Sequence, residues 1–553
     1  MLARFPIAQD GPLKWNRPRF GDLWEGTTDF TWNGFWAAGM RGEEVLVSMN
    51  EENPTEGNEM RLSTGIPGLD NVLCGGLDGE RLYLVEGEPG TGKTTLALQF
   101  LLEGARRGEK GLYVTLSESE RELRLVAKRH GFSLDGLSIF ELVPPEASLD
   151  PERELTLFHP AELELTETSK LIFDRVNEIK PSRIVFDSLS EMRLLAQNPL
   201  RYRRQVLALK HFFAGRRCTV LLLDDFSSQE GDIQLHSIAH GVIILQQLAL
   251  DYGSERRRLR VKKMRGIKFR GGYHDFIIET GGINVFPRLV AAEHHRSFVG
   301  QLMQSGCVEL DALLGGGLQR GTSALLVGGA GVGKSSIAVT YAVTAAQRGE
   351  RVAMFAFDEG LGTLYSRSSA LGIPLQQFVE QGLLTIQQID PAEMSPGEFA
   401  HRVRDAVEQH DVRMVLIDSL NGYLNAMPDE RFLVLQMHEL LSYLNQLGVL
   451  TVMVLAQHGM VGRMETPVDL SYLSDAVIML RYFEANGRVR RALSVVKKRS
   501  GVHEDAIREF QLTSEGLKVG PPLSQFSGVL SGTPTFVGDP RPLMSDRDDG
   551  GKS

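Results

Sequence analysis

The chain has 553 residues and a formal net charge of −10, with 42% hydrophobic and 24% charged residues. That length exceeds one ordinary core and predicts two to four domains of roughly 100–200 residues. The acidic balance argues against a blanket nucleic-acid surface. Cys74, Cys218 and Cys307 lie far apart without CxxC spacing, which excludes a disulfide framework or zinc site and fits a reducing cytoplasm. No apolar run approaches the ~20 residues of a membrane span, and the N-terminus lacks the apolar core of a signal peptide.

In chain order, residues 1–60 come first. They hold all four tryptophans (Trp15, Trp24, Trp32 and Trp36) and show no periodicity. They read as a flexible extension or as sequence upstream of the true start, with Met49 or Met60 as alternative starts. An apolar run, "RLYLVEG", then predicts a buried strand. It leads into "GEPGTGKTT" (87–95) and the amphipathic helix pattern "KTTLALQFLLEGARRG". "GLYVTL" predicts a second strand and "RIVFD" a third. The basic stretch "ERRRLRVKKMRGIKFRGG" alternates, as an edge strand with one charged face would.

The same order then recurs. "SALLVGG" precedes "GGAGVGKSS" (328–336), and "RVAMFAF", "MVLID" and a basic "GRVRRALSVVKKRSG" follow. The segments 64–95 and 305–336 align without a gap, Asp70 with Asp311 and Lys93 with Lys334, both 241 residues apart. Four landmarks in one order make an internal duplication. The halves are placed at 61–295 and 300–525, with a flexible tail over 526–553. Strand–helix alternation in each half predicts an α/β fold with a mostly parallel sheet flanked by helices.

Both loops fit GxxxxGK[ST]. Glycines let backbone N–H groups curl around phosphate oxygens, and the helix that follows aims its positive end at the same anion. The predicted nucleotide-binding residues are Gly87, Gly90, Thr91, Gly92, Lys93, Thr94 and Thr95 in the first loop. In the second they are Gly328, Gly331, Val332, Gly333, Lys334, Ser335 and Ser336. Lys93 and Lys334 are expected on the β- and γ-phosphates of ATP. Thr94 with Asp187, and Ser335 with Asp418, are expected to hold Mg2+, because each aspartate ends an apolar strand as in a Walker B motif. Hydrolysis also needs a base. Glu118 in "VTLSESE", and Asp358 and Glu359 in "FAFDEG", are the candidate catalytic carboxylates. Glu120 reads as a solvated loop residue.

Together these motifs resemble the KaiC family over about residues 61–530. "STGIPGLDNVLCGGL", the two loops, "VFDSLSEMR", "LIDSLNGYL" and the closing "HEDAIREFQLTSEGL" carry the resemblance. It implies tandem RecA-like P-loop NTPase domains and a double-ring homohexamer with ATP at subunit boundaries. It also implies an ATPase in the first ring, an autokinase in the second, and signalling or regulatory protein partners. The family pairs two glutamates after the second strand. Here Ser117 takes the first place beside Glu118, whereas Asp358 and Glu359 keep both carboxylates. Lys263, Arg265, Lys497 and Arg499 fall where residues act on a neighbour's nucleotide; on spacing alone they fit either an interface or a plain charged surface. The family's adjacent acceptor pair falls on Ser471 and Tyr472, which makes Ser471 the phosphorylation candidate, with Thr466 and Ser474 nearby. Two other readings stand beside this one: a nucleic-acid-dependent ATPase using the basic strands, and a scaffold in which ATP only assembles the ring.

Overall fold

The computed structural model describes residues 61–142, 160–196, 198–225, 232–250, 252–425, 430–457, 471–485, 487–530 and 535–537. The expected extension 1–60, Thr466 and residues 538–553 lie outside the described residues.

The first half forms one nine-stranded sheet. Its strands and main helices are β1 (Leu82–Gly87), α1 (Lys93–Arg106), β2 (Gly111–Thr115), α2 (Glu120–Arg129), β3 (Ser138–Glu141), α3 (Pro160–Ile179), β4 (Arg183–Asp187), α4 (Leu189–Ala196), α5 (Pro199–Phe213), β5 (Thr219–Asp225), α6 (Asp232–Ile238), β6 (Gly241–Leu248), β7 (Arg256–Met264), β8 (His274–Glu279) and β9 (Gly282–Phe286). The order across the sheet is β9-β8-β7-β6-β1-β5-β4-β2-β3. From β3 to β6 every pairing is parallel, and β7, β8 and β9 extend the sheet antiparallel.

The second half repeats the plan. It has β10 (Ser323–Gly328), α7 (Lys334–Gln347), β11 (Val352–Ala356), α8 (Leu361–Ala370), β12 (Leu384–Gln388), α9 (Pro396–His410), β13 (Met414–Asp418), α10 (Glu430–Gln446), β14 (Leu450–Ala456), β15 (Ala476–Ala485), β16 (Arg488–Lys498), β17 (Arg508–Thr513) and β18 (Gly516–Pro522). The order is β18-β17-β16-β15-β10-β14-β13-β11-β12, strand for strand that of the first half. The duplication is therefore structural, and the fold is two tandem RecA-like domains.

The central strands read as unbroken apolar runs because helices cover both faces. In β1, Tyr83 and Val85 face one core with Phe100 and Leu123. Leu84 faces the other with Ile184, Phe186 and Leu222. Burying a side chain of this size contributes about 1.5–3 kcal/mol relative to leaving it exposed.

Two expectations need correction. The basic strand β7 is not an edge strand, since β8 pairs with its first part at Arg257, Arg258 and Leu259. Its alternation arises because Leu259, Val261 and Met264 enter the core. Beyond Leu259, the register with β8 ends and leaves Arg260–Met264 unpaired by it. β16 behaves likewise: β17 pairs with Arg491, Ala492 and Leu493 and leaves Ser494–Lys498 uncovered. The described start of the expected tail also folds. Phe526–Ser527 pairs with Thr535–Phe536, the Phe526 ring lies 5.5 Å from Phe483, and Val529 is buried. Apolar side chains in an otherwise polar segment drive that packing.

The halves meet at a polar seam. Arg256 of β7 is buried and donates to the carbonyls of Pro391 (2.6 Å), Ala392 (3.0 Å) and Glu393 (3.1 Å). Asp275 of β8 accepts from the Gly397 amide at 2.7 Å, in the first turn of α9, where a helix favours negative charge. Leu289 and Ala291, numbered with the first half, pack into the second half's core.

Candidate functional sites

Each phosphate loop joins the carboxyl end of a central strand to a fourteen-residue helix. The glycine before each lysine has a left-handed backbone, with φ of 100° at Gly92 and 113° at Gly333. A Cβ there would meet Ile278 and Leu512 at 2.6 and 2.8 Å. Glycine is thus favoured by its backbone conformation, while the Ile278 and Leu512 methyls are side-chain ends that could shift. Thr91, Thr95, Val332 and Ser336 are buried beneath the loops.

In the first site, Gly87 pairs with Asp225 of β5 on one side and Leu245 of β6 on the other. Lys93 Nζ donates to the carbonyls of Gly87 (2.7 Å) and Glu88 (3.0 Å), and makes an ion pair with Asp225 at 2.9 Å. Asp225 also accepts from Ser190 Oγ at 2.8 Å. Burial alone would raise the Asp225 pKa; the Lys93 and Ser190 hydrogen bonds outweigh it and hold the carboxyl below its ordinary range. Thr94 Oγ1 donates to Asp187 Oδ2 at 3.1 Å, and Tyr113 donates its phenol to the same oxygen. Burial pushes the pKa of Asp187 up, against the Tyr113 and Thr94 hydrogen bonds.

Glu118 stands next to this group. Its amide donates to Thr115 Oγ1 at 3.0 Å, which turns the chain at the end of β2. Its Oε2 is buried without a hydrogen-bond partner. Burial, then the charges of Asp187 and Glu122, push its pKa up. A desolvated carboxylate with an open lone pair beside a phosphate loop is equipped to take a proton from water. Glu120 instead pairs along the helix surface with Arg124 at 2.8 Å.

The second site occupies a cleft of about 650 Å³ lined by Gly331, Lys334, Ser335, Asp358, Glu359 and Asp418 among others, a size suited to a nucleotide. Here Gly328 pairs with Ala456 and Leu480, so Ala456 stands where the first site has Asp225. Lys334 Nζ donates to the Gly329 carbonyl at 2.7 Å, and burial lowers its pKa to about 8, against the pull of Asp418. Burial raises the Asp418 pKa; a hydrogen bond from Ser335 and the charge of Arg367 act against it. Asp418 Oδ2 has no partner, and Met354 stands at the position of Tyr113. Asp358 accepts a hydrogen bond from Ser419 Oγ. Glu359 is gripped by Arg367 of α8, Nε to Oε1 at 3.0 Å and Nη2 to Oε2 at 2.6 Å.

Both sites offer groups that fit a divalent cation. A hydroxyl and a buried carboxylate meet at each, and the orphaned Asp418 oxygen is the kind of acceptor a divalent cation satisfies.

The remaining predicted residues lie elsewhere. Lys263 pairs with Val242 near the start of β6 and donates to the Ala239 carbonyl at 2.9 Å; Arg265 donates to the Ser237 carbonyl. Lys497 donates to the carbonyls of Ser471 (2.8 Å) and Ser474 (2.7 Å). Arg499 donates to that of Tyr472 at 3.1 Å. These groups sit at the end of each sheet opposite the same chain's phosphate loop. Tyr113, Asp225, Ser190 and Arg367 escaped the sequence reading. The one available signal was the 241-residue alignment read column by column, where Tyr113 faces Met354 and Val126 faces Arg367.

Sheet order, loops and paired strand-end acids define a tandem P-loop ATPase with RecA-like halves. The family described as "ATPase: KaiC" matches residues 62–290 and again 303–524, and the chain belongs to that family. It is 28% identical over 499 residues to "Circadian clock protein KaiC3" of Synechocystis sp., covering 88% of this chain and 96% of the relative. It is 27% identical over 483 residues to "Circadian clock oscillator protein KaiC" of Parathermosynechococcus lividus (86% and 88% covered). The protein of the same name from Thermostichus vulcanus is 27% identical over 502 residues (88% and 95% covered).

Proposed function

We propose that the first site hydrolyses ATP, that the second transfers a phosphoryl group to Ser471 of a neighbouring copy, and that the chain works as a homohexameric regulator of signalling proteins. The observation that carries this reading is the placement of Ser471, Lys497 and Arg499 in one cluster at the sheet end opposite their own loop. An acceptor there reaches a phosphate loop only by meeting another subunit's. Lys263 and Arg265 occupy the matching place in the first half.

In each site the loop amides and the lysine bind the phosphates. Thr94 with Asp187, and Ser335 with Asp418, would hold Mg2+, which when bound neutralises charge developing on the transferring group. At the first site Glu118 takes a proton from the attacking water. Glu118 at the first site and Asp358 at the second are the catalytic carboxylates of this scheme, with Glu359 beside Asp358 in the grip of Arg367, and Lys263, Arg265, Lys497 and Arg499 its trans-acting cations. The names of the relatives point to timing as the kind of regulation.

Incubation with labelled ATP tests the transfer. Label on the intact chain that maps to Ser471 and vanishes in Ser471→Ala is the expected result. An unlabelled chain that still releases phosphate overturns the kinase half of the proposal and leaves the ATPase half standing.

A further inference from the structure

We propose that Arg367 is a positioning residue that withholds the Glu359 carboxylate from water and so slows hydrolysis of ATP at the second site. The inference rests on the division of labour proposed above. Three observations carry it. The Arg367 guanidinium engages both Glu359 oxygens, at 3.0 and 2.6 Å. Its third nitrogen donates to Ser336 Oγ, in the first turn of the phosphate-loop helix, at 2.8 Å, which fixes the fork over the site. Both side chains are 25% exposed, so the pair is shielded on most sides. Two-point arginine–carboxylate pairing is both strong and directional.

The first site supplies the contrast. Helices α2 and α8 occupy matching residues of the two halves, and Val126 takes the place of Arg367. There the corresponding carboxylate, Glu118, keeps an unpartnered oxygen. Attack on the γ-phosphorus forms a bond from the water oxygen, breaks the bond to the bridging oxygen and delivers a water proton to the base. A carboxylate with both oxygens committed to Arg367 cannot collect that proton. Slow attack by water leaves the bound nucleotide for a hydroxyl acceptor.

The test uses the full chain in a Glu118→Gln background, so that remaining phosphate release belongs to the second site. Adding Arg367→Val, the residue of the first site, should raise release by about tenfold or more, because a positioned base contributes ~100-fold or more when free, with KM for ATP unchanged. Adding Glu359→Gln as well should remove the gain. Arg367→Lys keeps the charge but loses the fork, and should give a smaller gain of the same sign, which also covers a misfolded valine variant. Release that stays level or falls in both variants, a KM that rises, or a gain that survives Glu359→Gln overturns the proposal. A Glu118→Gln chain that releases phosphate at the wild-type rate would instead contradict the division of labour, and is read before Arg367 is changed.

Discussion

At the scale of single residues, the two sites differ most in what holds the phosphate-loop lysine. Lys93 is shared between loop carbonyls and Asp225, so nucleotide must compete with a carboxylate for it. Because Asp225 is 44% exposed, solvent weakens the pair. Asp225→Ala should therefore tighten nucleotide binding at the first site by about two- to fivefold, the range of an exposed ion pair, as measured by fluorescent-nucleotide titration. Unchanged or weaker binding would mean that Asp225 orients the lysine instead.

Lys334 has no such partner on β14, and its pKa in the folded chain lies near 8. Phosphate binds its protonated form. Above pH 8 the free lysine is neutral, and binding must take up a proton. Affinity at the second site should then fall with rising pH, by up to about tenfold per unit, in a Lys93→Ala chain titrated from pH 7 to 9. A flat profile would place little of the binding on Lys334.

At the scale of elements, the seam between the halves includes one carboxylate at a helix N-terminus, Asp275, beside Arg256 and its three carbonyls. Removing it in Asp275→Ala leaves the Gly397 amide without its acceptor. That should cost about 1–3 kcal/mol, seen as a lower urea midpoint. An unaltered midpoint would show that Asp275 adds little to the seam beside its other contacts.

The parts of the sites legible in the sequence were those set by neighbours along the chain. The loops, their lysines and the strand-end Asp187 and Asp418 each carry a local pattern. Asp225 carries none: its meaning depends on β5 lying beside β1, a pairing of residues more than a hundred apart. Arg367 is an ordinary helix-surface residue until α8 is laid against α7. The basic strands were half legible, because their alternation reports burial of one face and says nothing about whether a further strand pairs alongside.

At the scale of the whole molecule, the candidate carboxylates and the cations proposed to act in trans lie at opposite ends of each sheet, so under the proposed scheme a complete site would draw on two subunits. A Lys263→Ala chain keeps Glu118, and a Glu118→Gln chain keeps Lys263. Each should be poor in ATP turnover alone, and mixed rings should recover part of it. No recovery on mixing, with mixed assembly verified by native mass spectrometry, would contradict trans action. No described helix is long and apolar enough to cross a membrane.

The most direct measurement of the division between the sites follows phosphate release and chain labelling together in Glu118→Gln. If the first site is the hydrolytic one, release falls about 100-fold or more while label continues to enter Ser471. Release at the wild-type rate, or loss of label together with release, would contradict it.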